Sequence, residues 1–529
     1  MLNTLRSRRG MVTAPHHLAS QAGAQVLRDG GNAVEACVAM AATLAVVYPH
    51  MTGIGGDGFW LIAEPDRTPV AVDACGGAGS AADLDLYRAK GRSTVPWRGP
   101  LAANTVAGTI SGWALALQIA SAWARPLPLA RLLEEAVHHA EHGIAVTASQ
   151  AELTLSKLAE LSAAPGFAET FLPGGTPPVE GQILRFPALG GTLRRLAQTG
   201  LDDFYRGGLA AAIAADLERI GAPVRRNDLE GYQAQRRRPL SVATRAGRLF
   251  NFPPPTQGLA SLIILALFDR LDVTEAEGFD HIHGLVEATK QAFLVRDRVV
   301  GDPAFMAEPA EAWLEADRLD AMAARIDRRH ALPWPQPPSA GDTVWIGAID
   351  GQGCAASFIQ SIYFEFGSGV VLPETGIVWQ NRGASFRLAE TGWNALAPGR
   401  KPFHTLNPAM ARLADGRSMV YGTMGGEGQP QTQAAVFSRY AMFGQGLQAA
   451  VTAPRWLLGR TWGEDSVTLK LESRAAPEVV EHLRAAGHVV ELVAPFTSMM
   501  GHAGAVVRRP DGWFEGAADP RSDGAAAGY

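Results

Sequence analysis

The stretch SAGDTVWIGAID, residues 339–350, decides how the rest of the chain is interpreted. Its second half, 344–349, is a short run of β-branched, aromatic and apolar residues, which is typical of a β-strand. The segment before it, 331–342, is rich in proline and is the most linker-like part of the chain. It delivers Thr343 to the start of the strand. Because many strands begin with threonine, these features alone favour an ordinary loop-to-strand junction.

Thr343 would nevertheless be a competent nucleophile if the peptide bond after Asp342 were cut. A hydroxyl group is a poor nucleophile unless a base lies beside it. Cleavage would give Thr343 a free α-amino group with a pKa of roughly 7.7–8, which can accept the hydroxyl proton near neutral pH. Nucleophile and base would then belong to the same residue.

The composition describes a large folded protein. The chain has 529 residues, of which 47% are apolar and 19% are charged, so it can bury a sizeable core. A net charge of −5 with no long basic stretch argues against a nucleic-acid partner. Three widely spaced cysteines and the lack of an apolar signal segment predict a cytoplasmic protein. No apolar run reaches the roughly 20 residues that span a membrane.

Helical and strand patterns occur on both sides of the linker-like segment. Ala33–Val47 is apolar on nearly all sides and predicts a buried helix. Strands are predicted at 344–349, 354–361, 377–380 and 418–421. This order suits two sheets that are covered by helices.

Other motifs point to weaker alternatives. GIGGDG, residues 53–58, fits the pattern GxGxxG, but it follows a helix and precedes a strand, so a tight turn is favoured over dinucleotide binding. His281, His283 and Glu287 could suggest a metal, although a helix surface or interior is the better reading. The glycine pair at 425–426, after a predicted strand, could direct two backbone N–H groups at an oxyanion, although a plain turn is the simpler explanation.

Taken together, the chain resembles the γ-glutamyltransferase family of N-terminal-nucleophile hydrolases from about Val12 onward. The order and spacing of the stretches make the resemblance specific. They are GGNAVEACVAMAATLAVVYPHMTGIGGDGFWLI (30–62), NTVAG (104–108), FPPPTQG (252–258), HGLVEATKQAF (283–293), GDPAF (301–305), DTVWIGAIDGQGCAASF (342–358), FGSGVVLPETGIVWQN, GRKPFHTLNPAM, TMGGEGQ (423–429) and ADPRSDGAAAGY (518–529).

The resemblance implies an α+β fold, a four-layer αββα sandwich, built from one chain that cuts itself between Asp342 and Thr343. The fragments 1–342 and 343–529 would remain together as a heterodimer and one structural unit, and a dimer of such heterodimers is left open. The expected partner is a small-molecule amide. No cofactor and no metal are expected.

The resemblance also implies roles for individual residues. Thr343 would be the nucleophile, and Ser361 lies where the family places a hydroxyl that hydrogen-bonds to it. Gly425 and Gly426 match the pair that forms the family's oxyanion hole.

The positions that hold a γ-glutamyl group in the family differ here. Cys75 stands in place of a clamping arginine, and Tyr363 in place of an asparagine. An acid or amide and an aspartate that holds the amine become Arg382 and Ser385. Two adjacent serines become His404 and Thr405. Of these replacements, we expect Tyr363, Arg382, His404 and Thr405 to bind the substrate.

The changed pocket has lost an acid and gained Arg382, so it suits a short anionic amide without an amine. The resemblance is closest to the branch that hydrolyses oxamate to oxalate and ammonia. Glutathione hydrolysis or γ-glutamyl transfer, and removal of a glutaryl-type acyl group, remain alternatives on the same fold. A non-catalytic binding protein and a metal hydrolase are alternatives of other classes.

Overall fold

A computed structural model describes residues 3–123, 125–334, 342–459 and 466–529, apart from the side chains of Asp342 and Thr343. Part of the predicted linker, 335–341, lies outside the described residues. The strands are β1 (Leu5–Ser7), β2 (Gly10–Ala14), β3 (Asp57–Ala63), β4 (Val70–Ala74), β5 (Ile144–Ala145), β6 (Ile183–Leu184), β7 (Gln235–Arg237), β8 (Leu240–Thr244), β9 (Gly247–Asn251), β10 (Asp342–Asp350), β11 (Ala355–Tyr363), β12 (Ala409–Leu413), β13 (Ser418–Thr423), β14 (Trp456–Leu458), β15 (Leu469–Glu472), β16 (Val490–Val493), β17 (Ala503–Arg508), β18 (Phe514–Ala518) and β19 (Ala525–Gly528).

Along the chain, the α-helices lie between strands of the two large sheets. They are α1 (His17–Arg28), α2 (Ala33–Val47), α3 (Leu84–Ala89), α4 (Thr109–Ala120), α5 (Leu129–His142), α6 (Ala148–Ser156), α7 (Leu158–Leu161), α8 (Phe167–Phe171), α9 (Pro187–Thr199), α10 (Asp203–Arg206), α11 (Gly208–Arg219), α12 (Arg226–Glu230), α13 (Gly258–Arg270), α14 (Phe279–Val299), α15 (Ala316–Ala323), α16 (Gln429–Phe437), α17 (Leu447–Thr452) and α18 (Pro477–Ala485). None of the described helices is both long and apolar enough to cross a membrane.

Two seven-stranded sheets form the centre of the protein. The β10 sheet has the strand order β19-β2-β10-β11-β3-β4-β7, and the β13 sheet has the order β1-β18-β17-β13-β12-β9-β8. The paired strands of both sheets run antiparallel. Because β10 lies between β2 and β11, residues after position 342 are sheet neighbours of residues from the start of the chain.

The alternation of side chains along β10 explains the layers. Trp345 and Ile349 point toward the β13 sheet and pack in a cluster that both sheets share. Val344 and Ile346 point the other way, into a core that includes α2. Successive side chains of a strand point to opposite faces, so β10 contributes to both cores. A further cluster packs α13 and α14 against the outer face of the β13 sheet. The result is the predicted αββα sandwich.

Helix α2 has the bounds that its apolar pattern predicts. Asn32 caps its N-terminus by accepting from two backbone N–H groups, and Glu35 completes a capping box. Every residue of the helix is buried. An apolar surface on all sides is stable only in such an interior position.

The strand predicted at 377–380 is wrong. Val378 and Trp379 form only isolated bridges, to Val371 and Gly55 respectively. The chain before them bends at Gly367, Gly369 and Gly376, which all have positive φ. A turn of this kind interrupts the regular pairing that a strand requires.

Candidate active site

Strand β10 begins at an irregular point of its sheet. Asp342 pairs with Tyr363 on β11, but the register shifts before Val344, which pairs with Gln360. Position 343 therefore lies across from residues 361 and 362. Irregularities of this kind change the direction of a side chain and are common beside active sites. The side chains of the predicted cleavage site, Asp342 and Thr343, lie outside the described residues.

Ser361 lies on the central strand β11, between β10 and β3. Its side chain is buried, and its hydroxyl accepts a hydrogen bond of 2.8 Å from the backbone N–H of Tyr363. On the other neighbouring strand its register partner is Asp57. Pairing therefore places this hydroxyl beside the start of β10, and its role as the assisting group stays a prediction.

Gly425 and Gly426 follow the end of β13. Both have positive φ, +119° and +50°, which is a conformation that favours glycine. A Cβ at Gly425 would lie 3.2 Å from the Cα of Gly501. The carbonyl of Gly426 accepts a hydrogen bond of 2.7 Å from Gln257 Nε2, which fixes the turn from one side. Their role as an oxyanion hole stays a prediction.

Arg382 is a buried cation in a short 3₁₀ turn after Asn381. Only 1% of its surface is exposed, and its guanidinium lies 3.4 Å from the ring centroid of Tyr363. Nη1 donates a hydrogen bond of 3.2 Å to the Thr405 hydroxyl. Nε and Nη2 have no partner of good hydrogen-bond geometry among the described residues. The structure thus brings together three of the predicted substrate-binding residues, Tyr363, Arg382 and Thr405.

Burial and the neighbouring groups shift the pKa of Arg382 in opposite directions. Burial lowers the pKa of the guanidinium, whereas Tyr363, Cys75 and Asp57 raise it. Leaving buried donors without acceptors costs free energy, because water no longer binds them. Arginine binds carboxylates through two parallel N–H groups. A substrate carboxylate would provide the acceptors that this guanidinium lacks.

His404 lies beside this pocket and has both ring nitrogens engaged. Nε2 is 3.2 Å from Asp57 Oδ2, and Nδ1 accepts a long hydrogen bond of 3.4 Å from the Leu406 N–H. We infer from these bonds that the proton is on Nε2 and is donated to Asp57. Burial holds the pKa of His404 well below its usual value, and Arg382 and Lys401 lower it further. Its role as a donor to the substrate stays a prediction.

Asp57 is a residue of the site that sequence reasoning missed. Its side chain is fully buried at the start of β3. Oδ1 accepts hydrogen bonds of 3.2 Å from the N–H groups of Gly76 and Gly108 and from Gln380 Nε2. Burial raises its pKa to about 7, although these hydrogen bonds and Arg382 oppose the shift. The available signal was a carboxylate inside the glycine turn GIGGDG, directly before an apolar strand.

Two groups of described side chains have the composition of a metal site. In the first, ligand atoms of Asp57, Cys75 and His404 lie within 4.8 Å of one another. The positive charges of Arg382 and Lys401 both lower the pKa of the Cys75 thiol. They are therefore close enough to repel an additional metal cation.

The second group combines His283 and Glu287 with His488, and not with the predicted His281. Glu287 already accepts a hydrogen bond of 2.6 Å from Lys290 Nζ. His281 lies apart from this group and bonds to Ser438 instead. Since the carboxylate already pairs with a cation, an ion-pair network explains the second group without a metal.

The two stacked sheets with helices on both outer faces define the class of the fold, which acylases and γ-glutamyltranspeptidases share. The crystal structure of a cephalosporin acylase from Bacillus halodurans matches with a TM-score of 0.92 and 31% identity, over 100% of this chain and 97% of that chain. The family profile described as Gamma-glutamyltranspeptidase matches residues 19–529. The chain therefore belongs to the gamma-glutamyltranspeptidase family.

Two relatives match over nearly the whole chain. An oxamate amidohydrolase proenzyme from Klebsiella pneumoniae subsp. pneumoniae is 56% identical over 99% of this chain and 99% of its own length. A glutathione hydrolase-like proenzyme, YwrD, from Bacillus subtilis is 40% identical over 98% of each chain. The protein is accordingly an enzyme of a family that includes hydrolases made as proenzymes.

Proposed function

We propose that the protein is an autoprocessed amidohydrolase that cleaves a short amide bearing a carboxylate, with oxamate as the preferred substrate. The observation that carries the substrate class is Arg382, a buried guanidinium with two N–H groups lacking a good partner among the described residues. Within that class, the 56% identity to an oxamate amidohydrolase proenzyme favours oxamate.

The proposed maturation is a single cut between Asp342 and Thr343. The fragments 1–342 and 343–529 stay together, because β10 is hydrogen-bonded between β2 and β11 in one sheet. We expect the mature protein to act in the cytoplasm, without a cofactor. The free, buried state of Cys37, Cys75 and Cys354 is consistent with a reducing compartment.

In the proposed reaction, Thr343 Oγ attacks the amide carbon of oxamate while the Thr343 amine takes up the hydroxyl proton. The N–H groups of Gly425 and Gly426 stabilise the oxyanion. The C–N bond then breaks, the proton passes to nitrogen, and ammonia leaves. Water attacks the remaining ester in the same way and releases oxalate, which restores Thr343.

The other predicted residues hold the substrate and the nucleophile in this scheme. Ser361 supplies a hydroxyl on the strand beside Thr343. Arg382 binds the carboxylate of oxamate through two N–H groups, and Tyr363 and Thr405 fix the direction of the guanidinium. His404 closes the side of the pocket next to Phe59, whose ring centroid lies 4.8 Å away.

An acylase or a glutathione hydrolase is the second candidate. The TM-score of 0.92 to a cephalosporin acylase favours the former and the similarity to YwrD the latter. A γ-glutamyl substrate also carries an ammonium group, which needs an acceptor. Asp57 is a buried carboxylate of this site, but it already accepts from Gly76, Gly108, Gln380 and His404. The oxamate proposal does not need a further acceptor.

The test begins with the purified protein and the variants Thr343→Ala and Thr343→Ser. We expect two fragments on a denaturing gel for the parent chain, one whole chain for Thr343→Ala, and slow cleavage for Thr343→Ser, which keeps the hydroxyl. The cleaved protein should release equal amounts of ammonia and oxalate from oxamate.

Two further substrates separate the candidates. A chromogenic γ-glutamyl anilide and a glutaryl amide should be turned over at least 100-fold less efficiently than oxamate. Fully cleaved protein that releases no ammonia from oxamate would exclude this substrate. Two fragments from Thr343→Ala would place the cleavage site elsewhere.

A further inference from the structure

We propose that Asp57 is the positioning residue of the carboxylate pocket and holds the two segments that carry Arg382 and Thr405 against strand β3. This inference rests on the proposed role of Arg382 in binding the substrate carboxylate. Asp57 does not need to touch the substrate for this role.

The two oxygens of Asp57 reach two separate parts of the chain. Oδ1 accepts from Gln380 Nε2 at 3.2 Å, and Gln380 lies two residues before Arg382. Oδ2 accepts from His404 Nε2 at 3.2 Å, and His404 lies one residue before Thr405. Since Arg382 donates to the Thr405 hydroxyl, the carboxylate connects both sides of the same contact.

The backbone around Asp57 leaves it little freedom. Gly76 and Gly108 donate to Oδ1 from two further loops, and their close packing explains why both are glycines. A Cβ at Gly76 would lie 1.9 Å from the Val106 carbonyl oxygen, and one at Gly108 would lie 2.1 Å from the Ala74 carbonyl oxygen. The acceptor therefore stays in one place while the pocket is assembled around it.

A carboxylate is required because only donors surround it. Three N–H groups point at Oδ1 and the His404 N–H points at Oδ2. An asparagine in either orientation would turn its own N–H₂ group toward one of these donors. His404 cannot easily exchange its proton to the other nitrogen, because Nδ1 already accepts from the Leu406 N–H.

The charged and titratable groups around Asp57 come from several elements. Arg382 lowers its pKa, whereas Asp57 itself raises the pKa values of Cys75, Tyr205 and Tyr232. The pKa of Asp57 is raised to about 7, mainly by burial. Below that pH a proton on Oδ2 would face the His404 N–H. Acidification should therefore weaken this contact in the same way as an asparagine at position 57.

The experiment compares Asp57→Asn with Asp350→Asn. Asp350 is a matched control, because it is also buried, accepts several backbone N–H groups and has a pKa raised by burial. It lies at the far end of β10. Self-cleavage on a gel reports folding, calorimetry reports oxalate binding to the cleaved protein, and oxamate turnover separates KM from kcat.

We expect Asp57→Asn to cut itself but to bind oxalate about 10- to 100-fold more weakly. KM for oxamate should rise by a similar factor, with kcat changed less than about threefold. Asp350→Asn should bind oxalate like the parent. For the parent, the Kd of oxalate should rise as the pH falls below about 7, and this dependence should be absent in Asp57→Asn.

A second variant tests the link itself. In Asp57→Asn/His404→Gln a side-chain carbonyl can accept from the new amide, and oxalate binding should recover at least threefold relative to the single variant. Oxalate binding by Asp57→Asn that is unchanged or tighter than that of the parent would overturn the inference. Asp57 would then affect the pocket at most through its negative charge, and not by positioning Arg382 and Thr405. A parent protein that neither binds oxalate nor hydrolyses oxamate would instead overturn the proposed function.

Discussion

The buried pair Arg455 and Arg521 differs from the buried Arg382 in whether the fold itself supplies a paired anion. Arg521 donates to Glu472 at 2.7 and 2.8 Å and to Asp519 at 3.0 Å, and Arg455 donates to Asp519 at 2.5 Å. The four side chains have almost no exposed surface. Arg382 is equally buried, but its described hydrogen bond is to a neutral hydroxyl.

The difference shows what these buried arginines do. Burying a charge is tolerated when a partner of opposite charge and enough hydrogen bonds are present. The Arg521 cluster contains its own anions, Glu472 and Asp519, so its charges are paired within the fold. Arg382 has two N–H groups without a good partner among the described residues, so its anion is expected to come from the substrate.

The paired cluster also supports the glycine pair. Arg455 Nη1 donates to the carbonyls of Met500 and Gly501. Gly501 in turn packs so closely on the turn before Gly425 that a Cβ there would lie 2.4 Å from the Met424 carbonyl oxygen. A structural ion pair thus fixes the backbone on which the proposed oxyanion hole depends.

The largest expected effect is on stability and concerns Arg521→Met. Removing one partner would leave Glu472 and Asp519 buried with fewer donors, which typically costs about 3–5 kcal/mol. We expect the free energy of unfolding to fall by that amount in urea titrations. The measurement is best made with Thr343→Ala in the same chain, which we expect to remain whole. A loss below about 1 kcal/mol would mean that the cluster is not a structural unit.

The second effect is on substrate recognition and concerns Arg382→Met. Loss of a charge-assisted pair with the substrate should cost about 2–4 kcal/mol of transition-state stabilisation. This corresponds to a roughly 30- to 700-fold lower kcat/KM for oxamate. Stability should change by less than about 1 kcal/mol, because Arg382 makes no direct ion pair with a described carboxylate and its described hydrogen bond is to the Thr405 hydroxyl. Arg382→Lys should recover only part of the activity, since lysine cannot bind a carboxylate through two fixed N–H groups. Normal KM for Arg382→Met would contradict the assignment.

The smallest effect should come from Cys75→Ala. The thiol lies in the same pocket, but its hydrogen bond is a weak contact of 3.5 Å to the Gly76 carbonyl. Burial raises its pKa well above the usual value, so it is a poor nucleophile and a poor metal ligand near neutral pH. We expect kcat/KM to change less than about threefold, and activity to survive iodoacetamide. A large loss would reveal a role for Cys75 that the contacts do not explain.

Local patterns were sufficient for most of the fold. The apolar run Ala33–Val47 gives α2, and the strand predicted at 344–349 lies inside β10. The family resemblance supplied the layer arrangement. The strand predicted at 377–380 failed because turns at nearby glycines, and not its own β-branched residues, set the path of the chain.

The candidate site was predicted only in part. Arg382, Tyr363 and Thr405 could be chosen because they occupy family positions with altered residues, and they do meet in space. Asp57 could not be chosen in this way. Its partners Gly76, Gly108, Gln380 and His404 lie 19 to 347 positions away along the chain.

Residue order along the chain was therefore enough to identify the elements, the family and the threonine at the start of β10. Periodicity and capping are local properties, so a single stretch of sequence carries them. The pairing of buried charges is not local, because it depends on which segments the fold brings within hydrogen-bonding distance. Only the folded chain shows that Arg521 pairs with carboxylates of the protein, whereas two N–H groups of Arg382 lack a partner among the described residues. It also shows that the segments around the pocket meet at Asp57.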